Sequence, residues 1–315
     1  GIVPAAAEPQ QDFTTWLDGV KVDARAQGIS QNTLDLALGD IQPIDRVLEL
    51  DRKQPEFTLT FDQYLSHVVT TARLLQGHKL LGQNKALLSA VSGKYGVPRQ
   101  VIAAMWGIET NFGQLTGGFR VVPALATLAY DGRRSQYFRT ELFNALLMID
   151  SGKVTPEQMT GSWAGAMGQC QFMPSTYLRY AQDWSGGGKP NIWGRQADVF
   201  ASTANYLSQI GWNPGYGWGR PVRIPKDLNA GLFSLDVKKS YKAWSRLGLR
   251  SVSGKPLPKS DVLVSLIRAE TGKGDDIGRG EPYLVTDNFR VFMKWNHSTF
   301  FALAAGTLAD RLASK

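Results

Sequence analysis

Val101-Ile102-Ala103-Ala104-Met105-Trp106-Gly107-Ile108-Glu109-Thr110-Asn111-Phe112-Gly113 places one carboxyl in a segment that is otherwise almost wholly apolar or small. Pro98 stands just ahead of it, where a missing N–H costs a first helical turn nothing, and Gly113 stands where a helix would stop. The spacing predicts a helix over about 101–112. On its surface Met105 and Phe112 lie within one turn of Glu109, with Ile108 beside it. No other Asp or Glu occurs between Asp62 and Asp131. A carboxyl on an apolar stripe loses hydration, which disfavours its charged form and raises its pKa. An acid that stays protonated near neutral pH can give a proton to a leaving oxygen. The same pattern suits a boundary Glu that reaches solvent or pairs with a basic residue, and the segment alone leaves both open.

Helical stripes extend on either side. Phe13, Trp16, Leu17 and Val20 recur at helical spacing, with Gly28 placed to end that helix. Phe61, Tyr64, Leu65, Val68, Ala72 and Leu75 form one longer stripe, and Leu87, Leu88, Val91 and Tyr95 form another that stops at Gly96. Further helices are expected over 136–150, from a start at Thr155-Pro156-Glu157, and over 174–183 and 197–210. Between them Gly161, Ala164, Gly165, Ala166 and Gly168 interleave with Trp163, Met167 and Phe172, as in a tight loop whose backbone approaches something closely. After Gly211 the composition shifts to Gly, Pro and β-prone pieces such as 221–225 and 283–285, before the helical pattern returns over 287–312. The chain is therefore expected to be mainly α with a small strand-containing subdomain. No repeat of 20–50 residues is present, which excludes a solenoid.

Composition narrows the chemistry. The chain has 315 residues, 43% hydrophobic and 20% charged, which are globular values. One cysteine, Cys170, excludes a disulfide framework and cysteine-rich metal sites. His67, His78 and His297 lie too far apart in sequence to suggest a histidine metal centre. No apolar run is long enough to span a bilayer, and Gly1-Ile2-Val3-Pro4 does not read as a signal peptide. The net charge of +8 favours an anionic partner, but the basic residues are scattered, with no run that marks a nucleic-acid or membrane patch. Nine Trp suit stacking on sugar rings, although any one of them suits a core equally well.

Glu109-Thr110-Asn111-Phe112-Gly113 resembles the Glu-Thr/Ser-x-x-Gly signature of lytic transglycosylases with lysozyme-like catalytic domains. The loop from Gly161 to Ser175, with Gly165-Ala166-Met167-Gly168 and Gln171-Phe172-Met173-Pro174-Ser175, is similar to an element of the membrane-bound lytic transglycosylase B family. Asp131-Gly132-Arg133-Arg134-Ser135 and Trp295-Asn296-His297-Ser298 also match, and the pieces follow the family order over about 60–305.

This resemblance implies a lysozyme-like core over 97–210 plus 286–296, a helical domain over 10–96 joined by 297–315, and the strand-containing part at 211–285. The implied partner is the glycan strand of peptidoglycan, and the implied location is periplasmic, with no signal or lipid anchor within these residues; nucleic acid is not expected. Glu109 would be the single catalytic acid and base. Ser162 and Gln171 would line subsites, Asn296 would hold the reacting sugar, and Arg133 and Arg134 would face the acidic lactyl-peptide part. Tyr64, Phe172, Met173 and Tyr206 would pack or stack in the groove. Plainer roles stand beside these: Ser162 capping the small-residue turn, Asn296 capping a helix, and the Arg pair forming a solvated helix start. Phe301 occupies a position where the family has Tyr, so a hydroxyl contact there is in question.

The family can carry a calcium loop after the Gln-Phe-Met-Pro element. Here the matching stretch runs from Asp183 through Ser185 to Gly194, with Asp198 beyond, and the loop's fifth and twelfth positions are Gly187 and Gly194. Two expected oxygen ligands are thus missing, and no cofactor is expected. The implied reaction is cleavage without water, giving a 1,6-anhydro ring. The rivals are a hydrolytic muramidase and an inactive peptidoglycan-binding scaffold. The muramidase would draw a second acid from Asp275, Asp276, Glu281 or Asp287.

Overall fold

The helix Arg99–Thr110 begins behind Pro98 and ends where Asn111, Phe112 and Gly113 all take left-handed backbone, with φ of 48°, 60° and 85°. Gly permits this freely and Asn tolerates it, but a Phe there is strained and must be held by its surroundings. The hold is visible: the Phe112 ring folds back over its own helix, edge-on to Trp106 with centroids 5.4 Å apart. Gly107 makes room for it, since a Cβ there would stand 2.8 Å from the ring.

The computed structural model describes residues 11–53, 59–272 and 277–314, and these hold fourteen α-helices and seven strands. The chain divides into two compact units. One comprises Gly1–Pro55, Thr116–Arg179 and Gly186–Gly194; the other comprises Glu56–Leu115, Tyr180–Ser185 and Arg195–Lys315. This division differs from the three segments expected from sequence. Residues 61–95 and the strand-bearing 211–285 group with the Arg99–Thr110 helix rather than standing apart.

In the second unit, Arg99–Thr110 packs among the helices Thr71–Gln83, Lys85–Tyr95, Gln196–Gln209 and Thr299–Ala313. Every residue from Val101 to Gly107 is buried. Trp106 lies edge-on to Phe200 at 5.0 Å. Within Thr299–Ala313, Gly306 lets the Trp218 indole lie flat on the helix, and Trp218 Nε1 donates to Asp310 Oδ2 at 3.2 Å. Burial pushes the Asp310 carboxyl up to about 6. The strands form a five-stranded antiparallel sheet in the order Lys239–Ser240, Leu263–Glu270, Arg279–Val285, Gly219–Arg223, Arg250–Ser251. Trp244, Leu249, Val264, Leu266 and Leu284 form its core.

The helix Asp287–Trp295 leaves this sheet and is anchored at both ends. Thr286 caps its first turn, and the buried Asn288 amide donates to the carbonyls of Asn213 and Tyr216, both at 2.9 Å, and accepts from Asn213 N at 2.8 Å. Near the other end Lys294 Nζ donates to Ile210 O at 2.9 Å.

In the first unit, Val121–Asp131 is buried throughout its first nine residues and packs on Ser135–Asp150, Asp45–Arg52 and Gln31–Leu38. Asp150 accepts from Ser30 N at 3.1 Å and Thr33 Oγ1 at 2.8 Å, tying the caps of two helices together. A two-residue strand pair, Phe119–Arg120 with Thr160–Gly161, opens the small-residue loop.

Three local expectations are corrected. The stripe at 61–75 is two helices, Phe61–Val68 and Thr71–Gln83, because Thr70 leaves helical geometry and caps the second. Thr155-Pro156-Glu157 is a turn: Thr155 and Gln158 exchange the hydrogen bonds of a capping box, but strand pairing at Thr160 follows instead of a helix. The helix expected over 174–183 ends at Tyr180.

Gly306→Ala should force the Trp218 ring aside and cost about 1–3 kcal/mol, lowering Tm by several degrees. Gly19→Ala, on an exposed helical face with nothing near its Cβ, should instead stabilise by roughly 0.5–1 kcal/mol. Thermal melts of the two variants test the packing.

Candidate active site

Glu109 sits one residue before the end of its helix and is half-buried as a residue. Trp295, the last residue of Asp287–Trp295, donates its indole N–H to Glu109 Oε1 at 2.8 Å. Burial pushes the carboxyl up to about 7, with the Trp295 hydrogen bond working in the opposite direction. Tyr64 is near enough that burial first, and the charge of Glu109 second, raise its hydroxyl above the usual range. Tyr206 packs against Trp295 with ring centroids 4.8 Å apart and planes tilted by 39°, and Tyr180 packs against Tyr206 at 4.6 Å with a tilt of 32°. The second unit thus places Tyr64 near Glu109, and Tyr206 against the Trp295 that bonds Glu109. It adds Trp295 and Tyr180, which sequence reasoning did not single out. The signal available for Trp295 was its position immediately before Asn296.

Asn296 is exposed and is the C-cap residue of Asp287–Trp295, its backbone N–H donating to Phe292 O, while Ser298 caps the following helix, accepting from Phe301 N at 3.2 Å. Phe301 is buried, so no hydroxyl stands there.

In the first unit, Ser162 does cap the small-residue turn, accepting from Ala164 N at 3.3 Å and Ala166 N at 3.0 Å. With its lone pairs so used, the hydroxyl has its proton to offer. Gln171 adopts φ of 54°, and its Nε2 donates to Thr116 O at 3.2 Å and Gly168 O at 2.9 Å. Its Oε1 is thereby oriented as an acceptor. Glycines make this loop possible: a Cβ at Gly161 would lie 2.1 Å from Ala166 O, and one at Gly165 would lie 2.5 Å from Leu125.

Phe172 corrects an expectation, being buried in the core with no face to offer a ligand; Met173 is half-buried. Arg133 and Arg134 are exposed at the start of Ser135–Asp150, and Arg134 lies over the Tyr137 ring at 4.2 Å.

Of the second-acid candidates, the two among the described residues are engaged elsewhere. Asp287 is bridged to Lys238 and Arg290 at 3.2 and 3.3 Å, and Glu281 feels Asp62. Asp275 and Asp276 lie outside the described residues. Among the described residues no group of three His, Cys, Asp or Glu is placed to hold a metal. Asp198 is fully buried, with Trp184 N donating to Oδ1 at 2.9 Å and Arg195 to Oδ2 at 3.1 Å. The same guanidinium is 3.5 Å from Asp183 Oδ1, which also accepts from Ser185 N and Oγ. A protein cation thus bridges the two carboxylates that a calcium ion would need.

A mainly helical unit with one desolvated carboxyl at a helix end, ringed by aromatics, is the arrangement of a sugar-cleaving lysozyme-like enzyme. The family pattern described as the Transglycosylase SLT domain matches residues 12–310, and the chain belongs to that family of lytic murein transglycosylases. It is 31% identical over 296 residues to membrane-bound lytic murein transglycosylase B of Escherichia coli (strain K12), covering 91% of this chain and 79% of that protein. SltB3 of Pseudomonas aeruginosa, solved in complex with NAG-anhNAM-pentapeptide, is 40% identical with a TM-score of 0.90, covering 96% of this chain and 80% of that one. Escherichia coli Slt35, solved in complex with calcium, is 31% identical with a TM-score of 0.75, covering 96% and 92%.

A carboxyl whose pKa rises on folding is destabilised in its ionised form, so its cost to stability grows as pH climbs from about 4.5 to about 7. Glu109→Gln should therefore raise stability at pH 8 by on the order of 2–3 kcal/mol and change it little at pH 4. Denaturant midpoints at the two pH values check this.

Proposed function

We propose that the chain cleaves the MurNAc-β-1,4-GlcNAc bond of peptidoglycan without water, leaving 1,6-anhydroMurNAc ends, with Glu109 as acid and then base. The observation that carries this reading is a desolvated carboxyl poised near neutrality by burial and by the Trp295 hydrogen bond, with no second carboxylate among the described residues contributing to the shift. Hydrolytic routes use two carboxyls about 5–9.5 Å apart. With no partner to activate water, the substrate's own C6 hydroxyl is the better-placed nucleophile, because intramolecular attack carries a large effective concentration. Glu109 gives its proton to the glycosidic oxygen as the bond to C1 breaks, and the sugar's N-acetyl group stabilises the positive centre. The Glu109 carboxylate then takes the C6 hydroxyl proton as that oxygen closes on C1.

By resemblance, Ser162 and Gln171 contact the glycan as donor and acceptor respectively, and Asn296 holds the reacting sugar. Arg133 and Arg134 face the acidic lactyl-peptide part, Tyr64, Tyr206 and Met173 supply apolar contacts, and the reaction takes place in the periplasm. The bridging by Arg195 supports working without calcium.

Mass spectrometry of fragments released from purified peptidoglycan should show products one water lighter than hydrolytic ones, unlabelled in ¹⁸O-water. One ¹⁸O per cleavage would show a muramidase instead. Glu109→Gln should lower the rate by at least about 10²-fold, since both steps use this group. EGTA should move Tm by less than about 1 °C, because no ligand linkage is lost. Arg195→Ala should lower Tm by several degrees, because the buried Asp198 loses its cation.

A further inference from the structure

We propose that Trp295 is the positioning residue of the reaction: its indole N–H occupies Oε1 of Glu109, so that the transferable proton is carried on Oε2. The inference rests on the reading of Glu109 as the acid and base.

An indole N–H donates and cannot accept, unlike a hydroxyl, amide or imidazole, which can reverse its role. At 2.8 Å from Oε1 it favours that oxygen as the carbonyl-type acceptor, the stronger of the two in a protonated carboxyl, so the hydrogen of Glu109 is directed to Oε2. Once Glu109 has given up that proton, the same contact becomes a charge-assisted hydrogen bond, stronger than the neutral one. The contact therefore favours the carboxylate and offsets part of the burial that raises the pKa. It holds the group between its two tasks, which run in opposite directions on one carboxyl.

The indole is fixed from several sides. Its face rests on Tyr206, which rests in turn on Tyr180. Asn205 Nδ2 donates to the Tyr180 carbonyl at 2.8 Å, joining that end of the stack to the Gln196–Gln209 helix. Trp295 ends a helix held by Thr286 and Asn288 at its start and by Lys294 near its finish. A fixed donor can choose between two carboxyl oxygens, whereas a mobile one would serve either.

The other titratable and charged groups around the pair are few. Tyr64, from Phe61–Val68, senses the charge of Glu109, and Tyr206 comes from Gln196–Gln209. Arg73, from Thr71–Gln83, spends its guanidinium on Asn111 Oδ1 at 3.2 Å and Val68 O at 2.7 Å. From Lys85–Tyr95, Lys94 lies over the Tyr95 and Trp184 rings. Lys294 is turned to the Ile210 carbonyl.

Trp295→Phe removes the donor and keeps an aromatic ring. A second variant carries the benzothiophene analogue of Trp at 295, which keeps the bicyclic shape and replaces the N–H by sulfur. Steady-state kinetics on a soluble glycan fragment of defined length should show kcat about 10- to 100-fold lower for both, with KM within about twofold. The alkaline limb of kcat should move up by roughly half to one pH unit, because the protonated acid persists to higher pH without the donor. ¹³C NMR titration of Glu109 should show the same upward move. Trp295→Tyr should recover part of kcat. Wild-type kcat in the benzothiophene variant, or a loss of kcat with an unmoved alkaline limb and unmoved NMR titration, would overturn the proposal. An active Glu109→Gln enzyme would instead overturn the reading of Glu109 itself.

Discussion

Desolvation of one carboxyl governs the second unit. Placing Glu109 among Met105, Ile108 and the aromatic side chains weakens its charged form, and a neighbour that donates but does not ionise limits the effect. A lysine or arginine in place of Trp295 would stabilise the carboxylate and drive the pKa down, ending its use as an acid. A purely apolar neighbour would raise the pKa further, making the group a weaker acid that gives up its proton less readily. The indole lies between these extremes, and it fits because the Tyr180–Tyr206 stack gives its face a dry support.

The backbone around this carboxyl is shaped to stop a helix abruptly. Three successive left-handed residues turn the chain out of Arg99–Thr110, and the Phe112 ring seals the corner against Trp106. Strain in that corner is supported by a packed interior: Gly107 admits the ring and Trp106 is braced by Phe200. Similar economy marks the small-residue loop of the first unit. Gly161 and Gly168 sit where a Cβ would collide with backbone and Gly165 where it would meet the Leu125 side chain, and Gln171 takes a left-handed conformation that aims its amide at two carbonyls.

Much of this was legible in the sequence where a local cause dominates. Gly28, Gly96 and Gly152 end helices in left-handed geometry, and the isolation of Glu109 on an apolar stripe foretold its raised pKa. Legibility failed where long-range packing decides. The apolar period runs unbroken across Val69 and Thr70, so nothing periodic betrays the break between two helices. Thr155 and Gln158 make a sound capping box, yet pairing of Thr160 with Arg120 takes the backbone first. Phe172, read as packing or stacking in the groove, is buried in the core, which its place beside Gln171 does not reveal. Arg195 is an ordinary surface residue in sequence, and only the fold sets it between Asp183 and Asp198.

The pairing of an indole with a raised carboxyl occurs twice in the second unit, at Trp295–Glu109 and at Trp218–Asp310. Both carboxyls titrate well above their positions in an open chain, at about 7 and about 6. Around pH 6 these two sites make folding a proton-consuming reaction, taking up about one hydrogen ion per molecule from the solvent. Part of the heat measured on unfolding in that range therefore belongs to the buffer, which must absorb what the chain releases.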